Sequence, residues 1–158
     1  MAAADAPALS VVIPTLNAAA TLPSCLDALA DGGDLMGEVV VVDGGSTDGT
    51  AALAREHGCR VVASAAGRGR QLRAGAEAAG GDWLLFLHAD TRVGGGWADA
   101  VRAFVADPAN RERAGVFRLA YDRDTPGARR VARWANRRTR WLGLPYGDQG
   151  LLIHRRTY

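Results

Sequence analysis

The sequence predicts a single α/β domain built on a mostly parallel sheet flanked by helices. Short runs that are apolar at every position recur along the chain, and stretches with apolar residues at helical spacing separate them. Strands of that kind, apolar on both faces and alternating with helices, belong in a parallel sheet covered on both sides. No linker, internal repeat or low-complexity segment interrupts the alternation, and 158 residues that are 48% hydrophobic suffice for one core.

Leu9 to Ile13 (LSVVI) is the first apolar run, and Thr21 is placed to cap a helix carrying Leu22, Leu26 and Leu29. EVVVVD is the second run. Asp48 to Glu56 reads as a helix stopped at Gly58, CRVVAS as a third strand, and Arg68 to Ala79 as a helix closed by Gly80 and Gly81. DWLLFLHAD is a fourth strand, Trp97 to Val105 a helix, Gly115 to Tyr121 a strand and Pro126 to Leu142 a helix.

Composition excludes several classes. No apolar run approaches the roughly 20 residues that span a bilayer, and MAAADAPA lacks the basic start and apolar centre of a signal peptide, so a cytoplasmic location is expected. Cys25 and Cys59 each sit in an apolar pattern and are expected to be small buried hydrophobes without a disulfide or metal. All nineteen basic residues are Arg. Residues 1–110 hold seven of them against thirteen acids, and residues 111–158 hold twelve against four. With Ala and Gly also abundant, the exclusive use of Arg reflects a composition bias, and nucleic acid is not an expected partner.

In such sheets ligands bind beyond the carboxyl ends of the strands. The residues there are Pro14-Thr15-Leu16-Asn17, Asp43-Gly44-Gly45-Ser46, Ala65 to Arg70 and His88-Ala89-Asp90-Thr91, all small or polar. Any one end could be only a turn, but four together favour a site. Gly44 to Gly49 has the frame of a P-loop but continues into Thr50-Ala51 without the phosphate-binding Lys. Neither Gly44 nor Gly67 opens a complete G-x-G-x-x-G. LLFLHADT resembles the strand of aspartate-nucleophile phosphatases, with His88 where their nucleophile stands. What remains is Asp90 with His88 two residues earlier, expected on one face of an extended chain. That pair suits a hard divalent ion which takes its other ligands from water and substrate phosphates, unless Asp90 only caps the next segment.

VVIPTLNAAATLPSCLDAL, VVVVDGGSTDGT, GRGRQLRAGAEAAGGDWLLFLHADT and PYGDQG, in this order and spacing, resemble the nucleotide-sugar-dependent glycosyltransferases of family 2, with the Rossmann-like GT-A fold. The resemblance implies a UDP- or GDP-sugar donor, a divalent metal (Mg or Mn) and hexosyl transfer with inversion to an acceptor hydroxyl. It puts Pro14, Thr15 and Asn17 against the nucleotide, Asp43 with Gly44 at base or ribose, and Asp90 on the last Asp of the D-x-D metal motif. His88 replaces the first Asp, and Gly44 stands where a second acid is frequent; HADT and GDQG together mark a subgroup. Among Arg68, Arg70 and Arg73, Arg70 is chosen for the diphosphate, with a solvated helix start as the alternative for each.

Inverting transfer needs a general base. In the family it is usually an Asp downstream of a segment whose beginning GDQGLLIHRRTY matches, and here Asp148 is the last acid. It is either a substitute base or a donor- or acceptor-side contact. The domain is accordingly divided into a nucleotide-binding half, 1–92, and an acceptor-side part, 93–158, expected to lack the C-terminal part of the family fold. Such a chain would bind donor, transfer sugar poorly, and self-associate through apolar surface near Trp134, Trp141 and Leu151. Rivals are a non-catalytic nucleotide-sugar binding module and a nucleotidyltransferase. Residues 126–142 combine six Arg with Val131, Trp134 and Trp141 at helical intervals. That helix either buries its tryptophans in the core or in a contact with a second copy, or lies on an anionic membrane at its inner face.

Overall fold

The computed structural model describes residues 9–122, 125–143, 145 and 147–158. Its centre is one six-stranded sheet: β1 (Leu9–Thr15), β2 (Met36–Asp43), β3 (Arg60–Ala63), β4 (Trp83–Phe86), β5 (Ala114–Gly115) and β6 (Leu151–His154), in the order β3-β2-β1-β4-β6-β5. Strands β1 to β4 run parallel, while β6 is antiparallel to both β4 and β5. The helices are α1 (Leu22–Leu29), α2 (Thr50–Glu56), α3 (Arg68–Ala78), α4 (Trp97–Ala106) and α5 (Pro126–Leu142). The fold is the mostly parallel, Rossmann-like sheet of the GT-A type expected from the sequence.

The run of four valines is explained by two cores. Val41 packs with Leu9, Val11, Ile13, Trp83 and Leu85 on one face, and Val40 and Val42 pack with Val12, Leu84 and Phe86 on the other. Alternate side chains of one strand face opposite ways, so a strand covered on both sides must be apolar throughout. Helices α1, α2 and α4 cover the first face and α3 the second. Cys25 and Cys59 are both free and buried, as expected.

Seating α3 on the sheet requires Gly75. A Cβ there would lie 2.3 Å from Val12 Cγ1 and 2.8 Å from Val42 Cγ2, inside van der Waals contact of two fully buried side chains. The end of this helix is closed by Arg155, whose guanidinium donates to the carbonyls of Ala76, Ala79 and Gly81. Gly80 and Gly81 therefore do not act as left-handed caps, contrary to expectation; their amides donate to Glu38 and to Ser10. Thr21 stands at the N-cap of α1, but its hydroxyl turns back to the Ala18 carbonyl and caps nothing.

Three further expectations are corrected. The fourth strand ends at Phe86, because the Thr91 amide donates to the His88 carbonyl at 3.0 Å and folds 88–91 into a turn. His88 and Asp90 thus do not share the face of a strand. The strand expected over Gly115 to Tyr121 is reduced to Ala114–Gly115, since Phe117 and Leu119 bond to Gln149 and Asn136 instead of continuing the ladder. Finally, Leu151–His154 forms a strand that was not anticipated and inserts between β4 and β5.

A methyl group at position 75 must push α3 off the sheet, so Gly75→Ala should cost about 1–3 kcal/mol through overpacking. Gly69 lies in the same helix with nothing within 4 Å of its would-be Cβ, and Gly69→Ala should be neutral or stabilising by up to about 1 kcal/mol. Paired thermal melts check this; equal effects at the two positions would contradict the close packing at Gly75.

Candidate active site

The chain builds β1, β2 and β3 outward in one direction and then returns to lay β4 on the other side of β1. Strand order reverses between β1 and β4, which is where an open parallel sheet leaves a crevice at its carboxyl edge. A cleft of about 320 Å³ lies there, lined by Pro14 to Ala18 after β1, by Arg68 and Gln71 at the start of α3, and by His88, Ala89 and Asp90 after β4. Three of the four polar strand ends identified in the sequence thus contribute to this opening, the third through Arg68.

The hydroxyl-rich segment after β2 forms the wall behind it. Asp43 is nearly buried; one carboxylate oxygen accepts from the amides of Gly45 and Ser46 (3.2 and 3.0 Å), the other from the hydroxyls of Thr15 and Ser46. Burial pushes the Asp43 carboxyl up, but the Ser46 hydroxyl and the Ser46 and Gly45 amides outweigh it, and the group is held below the ordinary carboxylate range. Ser46, Thr47, Asp48 and Thr50 lace onto the loop after β1. The Ser46 hydroxyl accepts from the Asn17 amide at 2.8 Å, the Thr50 hydroxyl from the Ala18 amide at 2.9 Å, and the Asp48 carboxylate from the Ala19 amide at 3.0 Å. Asn17 takes a left-handed backbone, φ 51°, and its side-chain oxygen accepts from the Thr47 amide. An Asn tolerates that conformation better than most residues, which accounts for its position.

Gln71 is the residue that sequence reasoning missed. It is buried, and its amide nitrogen donates to the carbonyls of Thr15 and Val42, both at 2.8 Å. Gly44 belongs to the same arrangement, because a Cβ at 44 would approach the Gln71 amide within 3.1 Å. Arg70, chosen for the diphosphate, does not line the cleft; Arg68 does. A signal for this was available, since Gln71 and Gly75 mark the inward face of α3 and Arg68 lies three residues before Gln71, whereas Arg70 points off that face. Arg73 is engaged with Glu77 on the exposed side at 2.9 Å.

Beneath the mouth, His88 is partly buried, and its Nε2 has no hydrogen-bond partner among the described residues. Gly147 covers it: a Cβ there would lie 3.3 Å from Nε2 and 2.8 Å from Arg68 Nη2. Asp148 Oδ1 is 3.8 Å from the same nitrogen, too long for a hydrogen bond. Desolvation first, and the Arg68 guanidinium second, hold the imidazole below its ordinary range against the opposing carboxylates of Asp148 and Asp90. The His88–Asp148 contact is therefore between a neutral ring and a carboxylate near neutral pH. Asp90 is exposed and belongs both to the cleft and to a second groove of about 580 Å³, which Asp148, Gln149, Phe117 and Arg118 also line. Asp148 thus lines the groove that shares Asp90 with the cleft.

Among the described residues no group of three or more His, Cys, Asp or Glu could enclose a metal ion. One carboxylate facing the cleft, with an imidazole beside it, fits only an ion of the hard divalent kind that draws most of its ligands from phosphate oxygens and water. Asp90 is the donor that faces the cleft, since the Nε2 of His88 lies under Gly147.

The sheet with its switch-point cleft is the Rossmann-like fold of the GT-A type, and the chain belongs to glycosyl transferase family 2, whose family model matches residues 10–144. It is 45% identical over 94 residues to a PGL/p-HBAD biosynthesis glycosyltransferase of Mycobacterium bovis, a match covering 54% of this chain and 36% of that protein. It superposes on glucosyl-3-phosphoglycerate synthase from Mycobacterium tuberculosis in complex with UDP with a TM-score of 0.65 at 26% identity, over 95% of this chain and 57% of that one. The same synthase has been solved with Mn2+, UDP and glucosyl-3-phosphoglycerate, to which this chain is 23% identical with a TM-score of 0.64, again over 95% and 57%. Mannosyl-3-phosphoglycerate synthase from Rubrobacter xylanophilus gives a TM-score of 0.66 at 26% identity over 94% of this chain and 53% of that one. The chain spans about half the length of these solved structures.

Two outcomes follow from this geometry. Gln71→Leu deprives two buried carbonyls of a donor and should cost about 1–3 kcal/mol; an unchanged melting temperature would remove the amide's tethering role. Because the folded-state pKa of His88 is depressed, the unfolded chain takes up the proton first, so stability present above about pH 6.5 is lost as the solution is acidified. In chelated buffer, His88→Gln should flatten the decline of melting temperature below neutrality, and an unaltered profile would count against a buried neutral imidazole.

Proposed function

We propose that this chain carries the donor site of a hexosyltransferase that takes a UDP-sugar and passes the sugar to an acceptor hydroxyl with inversion. The observation that carries the reading is the switch-point cleft, which gathers Pro14, Thr15, Asn17, Arg68, His88 and Asp90 around one opening. UDP among the ligands of the glucosyl-3-phosphoglycerate synthase supports the choice of base. The nucleoside lies along Pro14, Thr15 and Asn17, with Asp43 and Gly44 shaping the wall behind them. Arg68 takes the diphosphate charge. Asp90, flanked by His88, would hold a divalent ion (Mg or Mn) together with phosphate oxygens, and the chemistry such an ion would supply is charge neutralisation at the diphosphate.

Asp148 is proposed as the general base. It lines the groove that continues from Asp90, where an acceptor hydroxyl would approach the face of the sugar opposite the diphosphate. The hydroxyl oxygen bonds to the anomeric carbon as the bond from that carbon to the diphosphate oxygen breaks, and the hydroxyl proton passes to the carboxylate. The neutral imidazole of His88 avoids drawing that proton acceptor into an ion pair. Residues 1–92 then form the donor half and 93–158 the acceptor side.

A thermal-shift screen tests the reading. UDP with Mn2+ at a hundredfold excess over its dissociation constant should add about 2.7 kcal/mol, or roughly 5 to 10 °C for a domain of this size. Asp90→Asn should remove the metal-dependent part of that shift without lowering the melting temperature of the free protein. A flat response to every nucleoside diphosphate would refute the donor site. Where binding is present, a sugar-transfer assay separates a transferase from a module that only binds: turnover should fall by roughly 10² to 10⁴ in Asp148→Asn if the carboxylate is the base.

A further inference from the structure

Helix α5 has no part in the donor site, yet it is the most unusual surface of the molecule. Its seventeen residues, Pro126–Leu142, contain six Arg and no acid. Only Ala135 is buried; Asn136 bonds both the amide and the carbonyl of Leu119, and the Thr139 hydroxyl donates to Gln149. These three residues define the side that faces the protein. At about 100° per residue, Val131, Trp134, Trp141 and Leu142 fall together in another sector, which they share with the half-buried Arg138, and they are 53%, 60%, 77% and 67% exposed. The tryptophans are therefore not core residues. Arg129, Arg130, Arg133, Arg137 and Arg140 fill the remaining sector, next to the apolar one, and all five are exposed.

We propose that α5 is an interfacial helix that seats the protein on a bilayer containing anionic lipids. Exposed tryptophan and leucine in one stripe, bordered by a row of guanidinium groups, is the arrangement that buries rings at the headgroup boundary while the cations meet lipid phosphates. Charge complementarity identifies the occupant. A groove of about 870 Å³ between α5 and residues 116–118 is lined, among the described residues, by five Arg and both tryptophans and by no carboxylate, so these residues repel other basic surfaces and attract anionic ones. A soluble polyanion would satisfy the Arg row but leave the apolar stripe in water; a bilayer satisfies both. No helix among the described residues is long and apolar enough to cross a membrane, so the contact lies on the surface. The Arg-lined groove shares Phe117, Arg118 and Gln149 with the groove that reaches Asp90 and Asp148, so the seated surface opens toward the candidate active site. The proposal rests on α5 alone and stands whether or not the cleft binds a nucleotide sugar.

Tryptophan fluorescence with vesicle flotation tests it. Trp83 and Trp97 are already buried, so a blue shift and quenching by brominated lipid report Trp134 and Trp141. Vesicles of phosphatidylcholine with phosphatidylglycerol should bind the 158-residue chain and blue-shift its emission, whereas phosphatidylcholine alone should not. Binding should weaken as salt is raised. The combined change Arg130→Gln, Arg137→Gln and Arg140→Gln should weaken binding by roughly a hundredfold, and Trp134→Ser with Trp141→Ser by roughly tenfold or more. All these side chains are exposed, and melting temperatures near that of the unchanged chain keep the comparison valid. Equal binding to the two vesicle types, full binding by either variant, a polyanion bound in preference to vesicles, or a homodimer that buries both tryptophans and persists with vesicles present would each overturn the proposal.

Discussion

The mouth of the cleft depends on how closely α3 approaches β1 and β2. Gly75 lets the helix backbone rest against Val12 and Val42, and this proximity brings Gln71, one turn earlier, within reach of the Thr15 and Val42 carbonyls. A glutamine amide placed there ties the ends of two adjacent parallel strands where the ladder stops, adding a donor to carbonyls that also accept from the Gly44 amide and the Thr15 hydroxyl. Arg68, three residues before Gln71 on the same side of the helix, is carried to the cleft by the same seating. One close helix–sheet contact thus sets strand ends, cleft wall and cationic group together.

Polar groups near the cleft divide into those that build it and those left to act. Asp43, Ser46, Asp48 and Thr50 spend their oxygens on neighbouring amides and hydroxyls, holding two loops in one arrangement. A wall fixed in this way presents backbone and small side chains in one arrangement. Asp90 and Arg68, by contrast, face the opening, and His88 is held neutral beneath it by burial and by the adjacent guanidinium.

The second half of the chain closes the site from the other direction. Strand β6 runs antiparallel beside β4 and so returns GDQG to the carboxyl edge of the sheet, where Gly147 covers His88 and Asp148 joins the groove beyond Asp90. Gln149 binds this turn to Phe117 and to Thr139 of α5. The basic helix is therefore anchored to the site by a few hydrogen bonds and one buried alanine, with most of its surface turned outward.

By itself the sequence determined the class of fold, the positions of the first four strands along the chain and the strand ends that carry polar residues. Those features depend on local periodicity, and burial on both faces of a strand leaves a continuous apolar run that can be read directly. It also marked the family motifs, hence Thr15, Asn17, His88, Asp90 and Asp148 as candidates. Tertiary structure alone decided which of them meet. That Asp43 is consumed by its own turn follows from the fold of residues 43–46 against Thr15, and that Gln71 braces two strands follows from the seating of α3 on the sheet. The insertion of Leu151–His154 between β4 and β5, and the exposure of Trp134 and Trp141, likewise depend on pairings between residues far apart in the chain. Local pattern has no access to these, because a four-residue apolar run or a helical stripe reads the same whether its partner is the core, another strand or the surroundings.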